Sequence, residues 1–328
     1  MSEIVVGIAM GGYSSEREIS IESGNTVYQK LNSSGWDCYK IVVDLNQWMV
    51  MDKEQNTCPL NLKDFTFKIG GKTMSFDVVF NAIHGPPGED GQLAEILASL
   101  NIPHTSCSRS IAALTFNKRD CLKKVKEWGV PVAKSFTFDN GDPLDIDVIE
   151  RQLGFPCFVK PNRSGSSYGV VKVYEKEALE DAINSALEED NQLIIESALV
   201  GMEVSVGAYT DNNEVVVLPI TEIISENDFF DYDAKYNGKS EEITPARIET
   251  SVVEAIHSTV KKLYDQLDLS GVCRSEFILV EGVPHFLEVN TIPGLTAASL
   301  IPQQVQAAGI ELADFFESLL EQAMKKNQ

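Results

Sequence analysis

A chain of 328 residues, 43% apolar and 23% charged, is globular in composition, and at ~150 residues per domain it has room for about two domains. A formal charge of −22 sets its field against nucleic-acid backbones and anionic lipid, while leaving small anionic ligands open to a site that gathers cations locally. No run approaches the ~18 consecutive apolar residues of a membrane helix, the start Met1-Ser2-Glu3-Ile4 lacks a signal-peptide pattern, and the cysteines include no C-x-x-C pair, so the expectation is a cytoplasmic protein with reduced thiols.

Residues 3–10 (EIVVGIAM) read as a buried strand ending at Gly11-Gly12, and Ser15 with Glu18 reads as a capping box that starts a helix. Strand, Gly-rich turn and helix together open an α/β unit. A second strand is predicted at 76–83, a helix from about Asp90 to 100, and a turn at 103–110. Asn117 looks like the cap of a helix with Leu122, Val125 and Trp128 on one face, ended by Gly129 and Pro131. Strands at 158–160, 170–174 and 193–196 around a helix at about 176–188 give the middle an α+β texture, followed by strands at 203–210 and 214–220. Residues 225–247 are polar and aromatic without periodicity, too long for an ordinary connection, and suggest a functional lid. Val253, Ile256, Val260, Leu263 and Leu267 recur at helical spacing, as do Leu312, Phe315, Phe316, Leu319 and Leu320. Division at about 117 and about 205 gives three domains, 1–117, 118–205 and 206–328.

Two motifs are decoys. Gly71-Lys72-Thr73 resembles the end of a phosphate loop, but Thr66 stands where that loop needs glycine. Gly165-Ser166-Ser167-Tyr168-Gly169 matches a nucleophile elbow, but β-rich residues follow it where the elbow needs a helix.

Three segments carry chemistry. Residues 158–169 (FVKPNRSGSSYG) place Lys160 and Arg163 beside a small-residue loop whose backbone N–H groups can approach an anion. Around Glu281-Gly282-Val283, read as a three-residue hairpin loop, Glu276 falls opposite Glu288 and Arg274 opposite Asn290, with Ile278 and Phe286 flanking them on the same face. Two carboxylates at that spacing repel unless a cation lies between them, and carboxylates with an amide oxygen suit Mg2+. Thr291-Ile292-Pro293-Gly294-Leu295-Thr296 reads as a Pro-Gly turn offering a backbone N–H near that chemistry.

Together with GGYSSEREIS (11–20), NAIHGPPGEDG (81–91), FNKRDCLK (116–123), FFDYDAKY (229–236), ITPARI (243–248) and LEVNTIPGLTAASLIP (287–302), these segments resemble the D-alanine–D-alanine ligases of the ATP-grasp superfamily, nearly end to end. The resemblance implies a three-domain ATP-grasp fold, α/β and α+β, with an N-terminal Rossmann-like domain. It implies that one D-alanine carboxylate attacks the γ-phosphate of ATP and that the amine of a second D-alanine attacks the resulting acyl phosphate, giving a dipeptide for peptidoglycan. By resemblance, Lys118 and Lys160 meet the ATP phosphates and Lys235 reaches the γ-phosphate. Glu196 with Ser197, Ala198 and Leu199 meets the adenine, and Glu203 meets the ribose. Glu276, Glu288 and Asn290 hold two Mg2+ ions, with Mn2+ an admissible substitute. Arg274 and the Gly294 N–H stabilise the oxyanion. Glu16 holds the ammonium of the first alanine, His84 lies by its carboxylate, and Ser299 with Leu300 holds the carboxylate of the second. Ser166 and Tyr236 join Glu16 in a set that closes the lid. A homodimer is also implied, with no nucleic-acid or membrane partner. Glu276 stands where the family usually has Asp, and Ser197 where it often has Lys. Same-fold ligases that use D-lactate or D-serine as acceptor, and a non-catalytic ATP sensor, are the rival readings.

Overall fold

Strand β1 (Val5–Gly11) feeds two cores with alternate residues: Val6, Ile8 and Met10 meet Val27 and Leu31 of helix α1 (Arg17–Ser33), while Ala9 joins Val79 and Ile83 on the other side. The structure is a computed structural model, and it describes residues 4–165, 167–225 and 240–326. A strand buried on both faces suits parallel neighbours covered by helices. Accordingly β1 pairs in parallel with β2 (Asp37–Val43) and β7 (Val78–Asn81). β3 (Met49–Met51) and β4 (Thr57–Pro59) extend the sheet to the order β4-β3-β2-β1-β7, and β5 (Thr66–Ile69) with β6 (Lys72–Ser75) forms a separate hairpin. Helix α2 (Gln92–Ser99) covers the second face through Leu93 and Leu97, and α3 (Arg109–Phe116) follows it. Gly24 lets α1 press on the sheet, since a Cβ there would lie 2.6 Å from that of Met10.

The predicted capping box does not form. The helix starts at Arg17 with Glu16 at its cap position, because the Ser14 carbonyl accepts the Arg17 N–H and the Ser14 hydroxyl donates to the His84 carbonyl at 3.1 Å. That shift buries Glu16.

Helix α4 (Lys118–Glu127) is capped as its sequence predicts, the Asn117 side chain accepting the Asp120 N–H at 3.1 Å. The middle sheet runs β10-β9-β11-β8, from β8 (Ser135–Asp139), β9 (Cys157–Pro161), β10 (Val171–Val173) and β11 (Gln192–Ser197). Helices α5 (Ile146–Leu153) and α6 (Leu179–Ala186) pack on one face of it, against Cys157, Val159, Leu193 and Ile195. The other face, with Phe158, Lys160 and Glu196, turns to the cleft.

The third sheet has the order β15-β14-β12-β16-β17, with β13 beside β12. Its strands are β12 (Met202–Asp211), β13 (Glu214–Val217), β14 (Thr221–Ser225), β15 (Ser240–Ile243), β16 (Cys273–Val280) and β17 (Val283–Asn290). Helix α7 (Thr250–Gln266) sets Ile256, Val260 and Leu263 against Val204, Val206, Phe277 and Phe286. Cys121, Leu122 and Val125 of α4 join this same core rather than that of the middle sheet. Helix α8 (Leu300–Ala307) lies on the opposite face, where Gln304 accepts the Gly207 N–H at 2.8 Å and donates to the Ser205 carbonyl at 3.0 Å. Helix α9 (Leu312–Lys326) returns to the first sheet, Phe316 meeting Phe80 edge to face at 5.7 Å.

The β16–β17 hairpin departs from its prediction. Val280 pairs with Val283, so the loop is the two residues Glu281-Gly282, both at positive φ. A bulge between Glu276 and Phe277 then shifts the register by one, which restores Glu276 opposite Glu288. As a result Phe286 turns to the core beside Phe277, ring centroids 5.7 Å apart, and Leu287 takes its expected place on the cleft face. The suspected lid, 225–247, is bracketed by strand ends, since Ser225 pairs with Ser240; its residues 226–239 lie outside the described residues. Among the described residues no helix is long and apolar enough to cross a membrane.

Candidate active site

The middle and third sheets face each other across a cleft of about 460 Å³. Its third-sheet wall is set by register: Arg274 pairs with Asn290 and Gly207, Glu276 with Glu288 and Ser205, and Ile278 with Glu203. Alternation puts all of these on one face. Lys118, at the start of α4, and Lys160, on β9, come from the opposite wall.

Three acids of the cleft, Glu276 and Glu288 on the third-sheet wall and Glu196 on the middle sheet, meet cations of the site. Lys118 Nζ lies 3.3 Å from Glu288 Oε2 and donates to the Ser164 carbonyl at 2.7 Å; Lys160 Nζ lies 2.7 Å from Glu196 Oε2; Arg274 lies 2.6 Å from Glu276 Oε1. Burial works to strip the Lys160 proton, but Glu196, Glu288 and Glu203 outweigh it and hold the ammonium charged above its ordinary value. Asn290 completes the oxygen set on the Glu276–Glu288 face, and its amide Nδ2 is buried with no hydrogen-bond partner among the described residues. An amide flip would offer an oxygen at that spot, so two carboxylates and one amide fit a hard divalent cation. Arg163, expected to add charge for phosphates, does not line the cleft; it is committed to Asp190 through bonds of 2.6 and 3.0 Å.

The second part of the site joins the ends of β1 and β7 to the segment after β17. Ser20 Oγ accepts the Gly11 N–H at 2.8 Å and donates to the Ala82 carbonyl at 2.7 Å, fixing the first turns of α1 to both strands. His84 is buried and held below its ordinary pKa by that burial, hence neutral. Both its nitrogens have protein partners, Ser23 Oγ at 3.1 Å and the Ile292 carbonyl at 2.8 Å. The expected Pro-Gly turn is absent as a hydrogen-bonded turn: the Ile292 carbonyl bonds His84, and the Leu295 N–H donates to Ser23 Oγ at 3.1 Å. Gly294 is required by contact rather than by its φ, since a Cβ there would lie 2.7 Å from Ser299 Oγ. Ser299 sits at the cap position of α8, and Leu300 is buried against Ile223.

Glu16 faces the small-residue loop: a Cβ on Gly165 would lie 2.5 Å from Glu16 Oε2. The other members of the expected set, Ser166 and Tyr236, lie outside the described residues, as does Lys235. Ser197, Leu199 and Glu203 line the cleft, while the Ala198 N–H is taken by the Pro156 carbonyl at 3.0 Å.

Residues 5–107 match the family described as D-ala D-ala ligase N-terminus, and residues 125–321 the family described as D-ala D-ala ligase C-terminus. The chain belongs to the D-alanine–D-alanine ligase family. It is 48% identical over 316 residues to a D-alanine–D-alanine ligase of Flavobacterium johnsoniae, covering 96% of this chain and 98% of that one. Its fold is similar to that of the VanG D-Ala:D-Ser ligase from Enterococcus faecalis, with a TM-score of 0.87 at 30% identity over 98% of this chain and 100% of the other. It is also similar to a D-alanine–D-alanine ligase from Bacillus anthracis complexed with ATP, with a TM-score of 0.80 at 27% identity over 100% and 99% of the two chains. The ATP-grasp fold expected from the sequence is the fold of these ligases, and the several mixed sheets of this chain agree with it.

Several residues of the ligase site escaped the sequence reading. Phe158, Leu287 and Ile223 line the cleft beside Ile278, which alternation along β16 places on this face, and Lys172 lies over the Phe158 ring at 5.6 Å. Alternation along β9 could have marked Phe158. Glu89 is buried beside the His84–Gly85 turn, accepting the Gly85 N–H at 3.2 Å, and burial reinforced by the negative charge of Glu16 pushes its carboxyl up to about 8. No spacing signal singles it out.

Proposed function

We propose that this chain joins two D-alanines into D-alanyl-D-alanine at the expense of ATP, making a precursor of the bacterial cell wall. One observation carries the reading: Arg274, Glu276, Glu288 and Asn290 share one strand-pair face at the wall of a cleft that Lys118 and Lys160 enter from the other side. A site that transfers a phosphoryl group needs that combination of hard oxygen ligands and cations.

In this reading the first D-alanine lies between Glu16 and His84, and its carboxylate attacks the γ-phosphate to give an acyl phosphate and ADP. Lys118 and Lys160 exchange Glu288 and Glu196 for phosphate oxygens, and Lys235 adds a third cation. Glu196, the backbone of residues 197–199 and Glu203 receive the adenosine, with Phe158, Ile278 and Leu287 flanking the base. Two Mg2+ ions held by Glu276, Glu288 and Asn290 would neutralise phosphate charge as it shifts. Ser299 and the start of α8 hold the carboxylate of the second D-alanine. Its amine attacks the acyl phosphate, and Arg274 with the Gly294 N–H meets the oxyanion that develops. Ser166 and Tyr236 close the set with Glu16. Three domains divided at about 117 and about 205, a cytoplasmic setting and a homodimer belong to the same proposal.

The fold similarity to a D-Ala:D-Ser ligase makes the acceptor the point to test. Phosphate release and product identity are measured with ATP and Mg2+ plus D-alanine, alone and with D-serine or D-lactate, and with L-alanine as control. D-alanine alone should give dipeptide and phosphate in equal amounts. Dependence on D-serine or D-lactate would move the chain to the corresponding acceptor class, and ATP binding without turnover would make it a sensor.

A further inference from the structure

The segment bearing Gly294 is held at both ends by one pair of side chains from the first domain. At its start the Ile292 carbonyl accepts from His84 Nδ1 at 2.8 Å, and at its finish the Leu295 N–H donates to Ser23 Oγ at 3.1 Å. The pair is itself joined, Ser23 Oγ to His84 Nε2 at 3.1 Å. Ser23, on α1, is fully buried, and His84, after β7, nearly so. Gly294 is pressed from its other side by Ser299.

The protons of this circuit can be placed. A carbonyl only accepts, so His84 Nδ1 carries a hydrogen. In neutral imidazole Nε2 then accepts, and the Ser23 hydroxyl is its donor. The Ser23 oxygen keeps a lone pair for the Leu295 N–H. Each of the four groups is thereby satisfied, and the separation between Ile292 and Leu295 is set by a serine and a histidine rather than by a turn. Such buried neutral bonds meet no competing water and fix geometry firmly.

We propose that Ser23 is a positioning residue for the second half of the reaction: through His84 and Leu295 it fixes the 292–295 segment so that the Gly294 N–H is aimed at the reacting carbonyl. The inference rests on the role given to Gly294 above. It also ties the wall of the first-substrate site, where His84 sits, to the donor that meets the oxyanion. Loss of aim at an oxyanion donor is felt in the transition state and not in ground-state nucleotide binding.

The test uses the full chain with ATP, Mg2+ and D-alanine, and compares the parent with Ser23→Ala, Ser23→Thr and Ser23→Cys. Ser23→Ala should lower kcat for dipeptide by about tenfold or more while KM for ATP stays within about twofold. Dipeptide formed per phosphate released should also fall, because an acyl phosphate awaiting a misaimed donor is lost to water. Ser23→Thr keeps the hydroxyl and should recover most of kcat. Should Ser23→Ala not fold, Ser23→Cys, which fills the space with a weaker donor and acceptor, should show the same split. A parent-like kcat and product ratio in Ser23→Ala would overturn the proposal, and so would a loss of kcat matched by an equal rise in KM for ATP. If the parent itself makes no dipeptide, the function assigned above has failed instead.

Discussion

At the end of the cleft proposed for the nucleotide, three cations lean on carboxylates, Lys118 on Glu288, Lys160 on Glu196 and Arg274 on Glu276. At the end formed by α1, β7 and the 292–295 segment, the side chains that meet the backbone include Ser20, Ser23 and neutral His84. The two kinds of bond suit two tasks. Ion pairs exchange partners: when a polyanion arrives, the lysines can leave glutamates for phosphates, and the glutamates are left for a divalent cation. Neutral hydrogen bonds in a dry setting do not exchange, and they hold a backbone donor at a fixed place. A charge of −22 works against a nucleotide, and the paired lysines would keep positive charge in store at the cleft proposed to receive it.

The sharpest way to break the comparison is Glu288→Gln. If Glu288 only balances Lys118, a neutral amide should cost little. If it also holds the metal, turnover should fall by about a thousandfold or more, the loss of several kcal/mol of charge stabilisation. We expect the larger loss with an unchanged melting temperature; ATP turnover near the parent value would remove Glu288 from the metal site. Arg274→Met separates pairing from catalysis in the same way. Removing one oxyanion donor costs ~100–1,000-fold in turnover, and ATP affinity should change far less. Normal turnover with weakened ATP binding would assign Arg274 to the nucleotide.

The charged end was the more legible one in the sequence, for a physical reason. Period-2 alternation and opposite placement across a hairpin are readable from spacing alone, and they brought Arg274, Glu276, Glu288 and Asn290 to one face. Even there the hairpin loop was read one residue too long, and only the bulge beside Glu276 kept the outer pairs in register. The same bulge sent Phe286 to the core, which no count of residues foretells. The neutral end was hardly legible. Ser23 looks like any serine on a helix, and its bond to Leu295 spans 272 residues. Ser15 and Glu18 imitated a capping box, but the Ser14 hydroxyl was drawn to the His84 carbonyl and moved the start of the helix. Short strands such as β14 and β15, and all of β2 to β6, lacked a periodic signal and exist by virtue of their neighbours in the sheets.

The smallest expected effect tests whether the donor end is neutral by design of its surroundings. Burial holds His84 below its ordinary value and, with the charge of Glu16, lifts the Glu89 carboxyl to about 8. The signs are opposite. As pH falls through the ordinary histidine range, near 6.5, the unfolded chain gains a proton at His84 that the folded chain refuses, so stability declines toward acid. As pH rises from the ordinary carboxyl value, 4.5, toward about 8, the unfolded chain has released a proton that folded Glu89 retains, so stability declines toward alkali and levels off once the folded carboxyl ionises. Glu89→Gln keeps an oxygen for the Gly85 N–H and removes the second slope alone. The ligand-free variant should therefore melt a few degrees above the parent at pH 8, nearly level with it at pH 5, and still lose stability below pH 6.5 as the parent does. Parallel melting profiles for parent and variant from pH 5 to 8 would mean that the Glu89 carboxyl is ionised where it lies. The donor end would then be held by charge like the nucleotide end, and the contrast between them would fail.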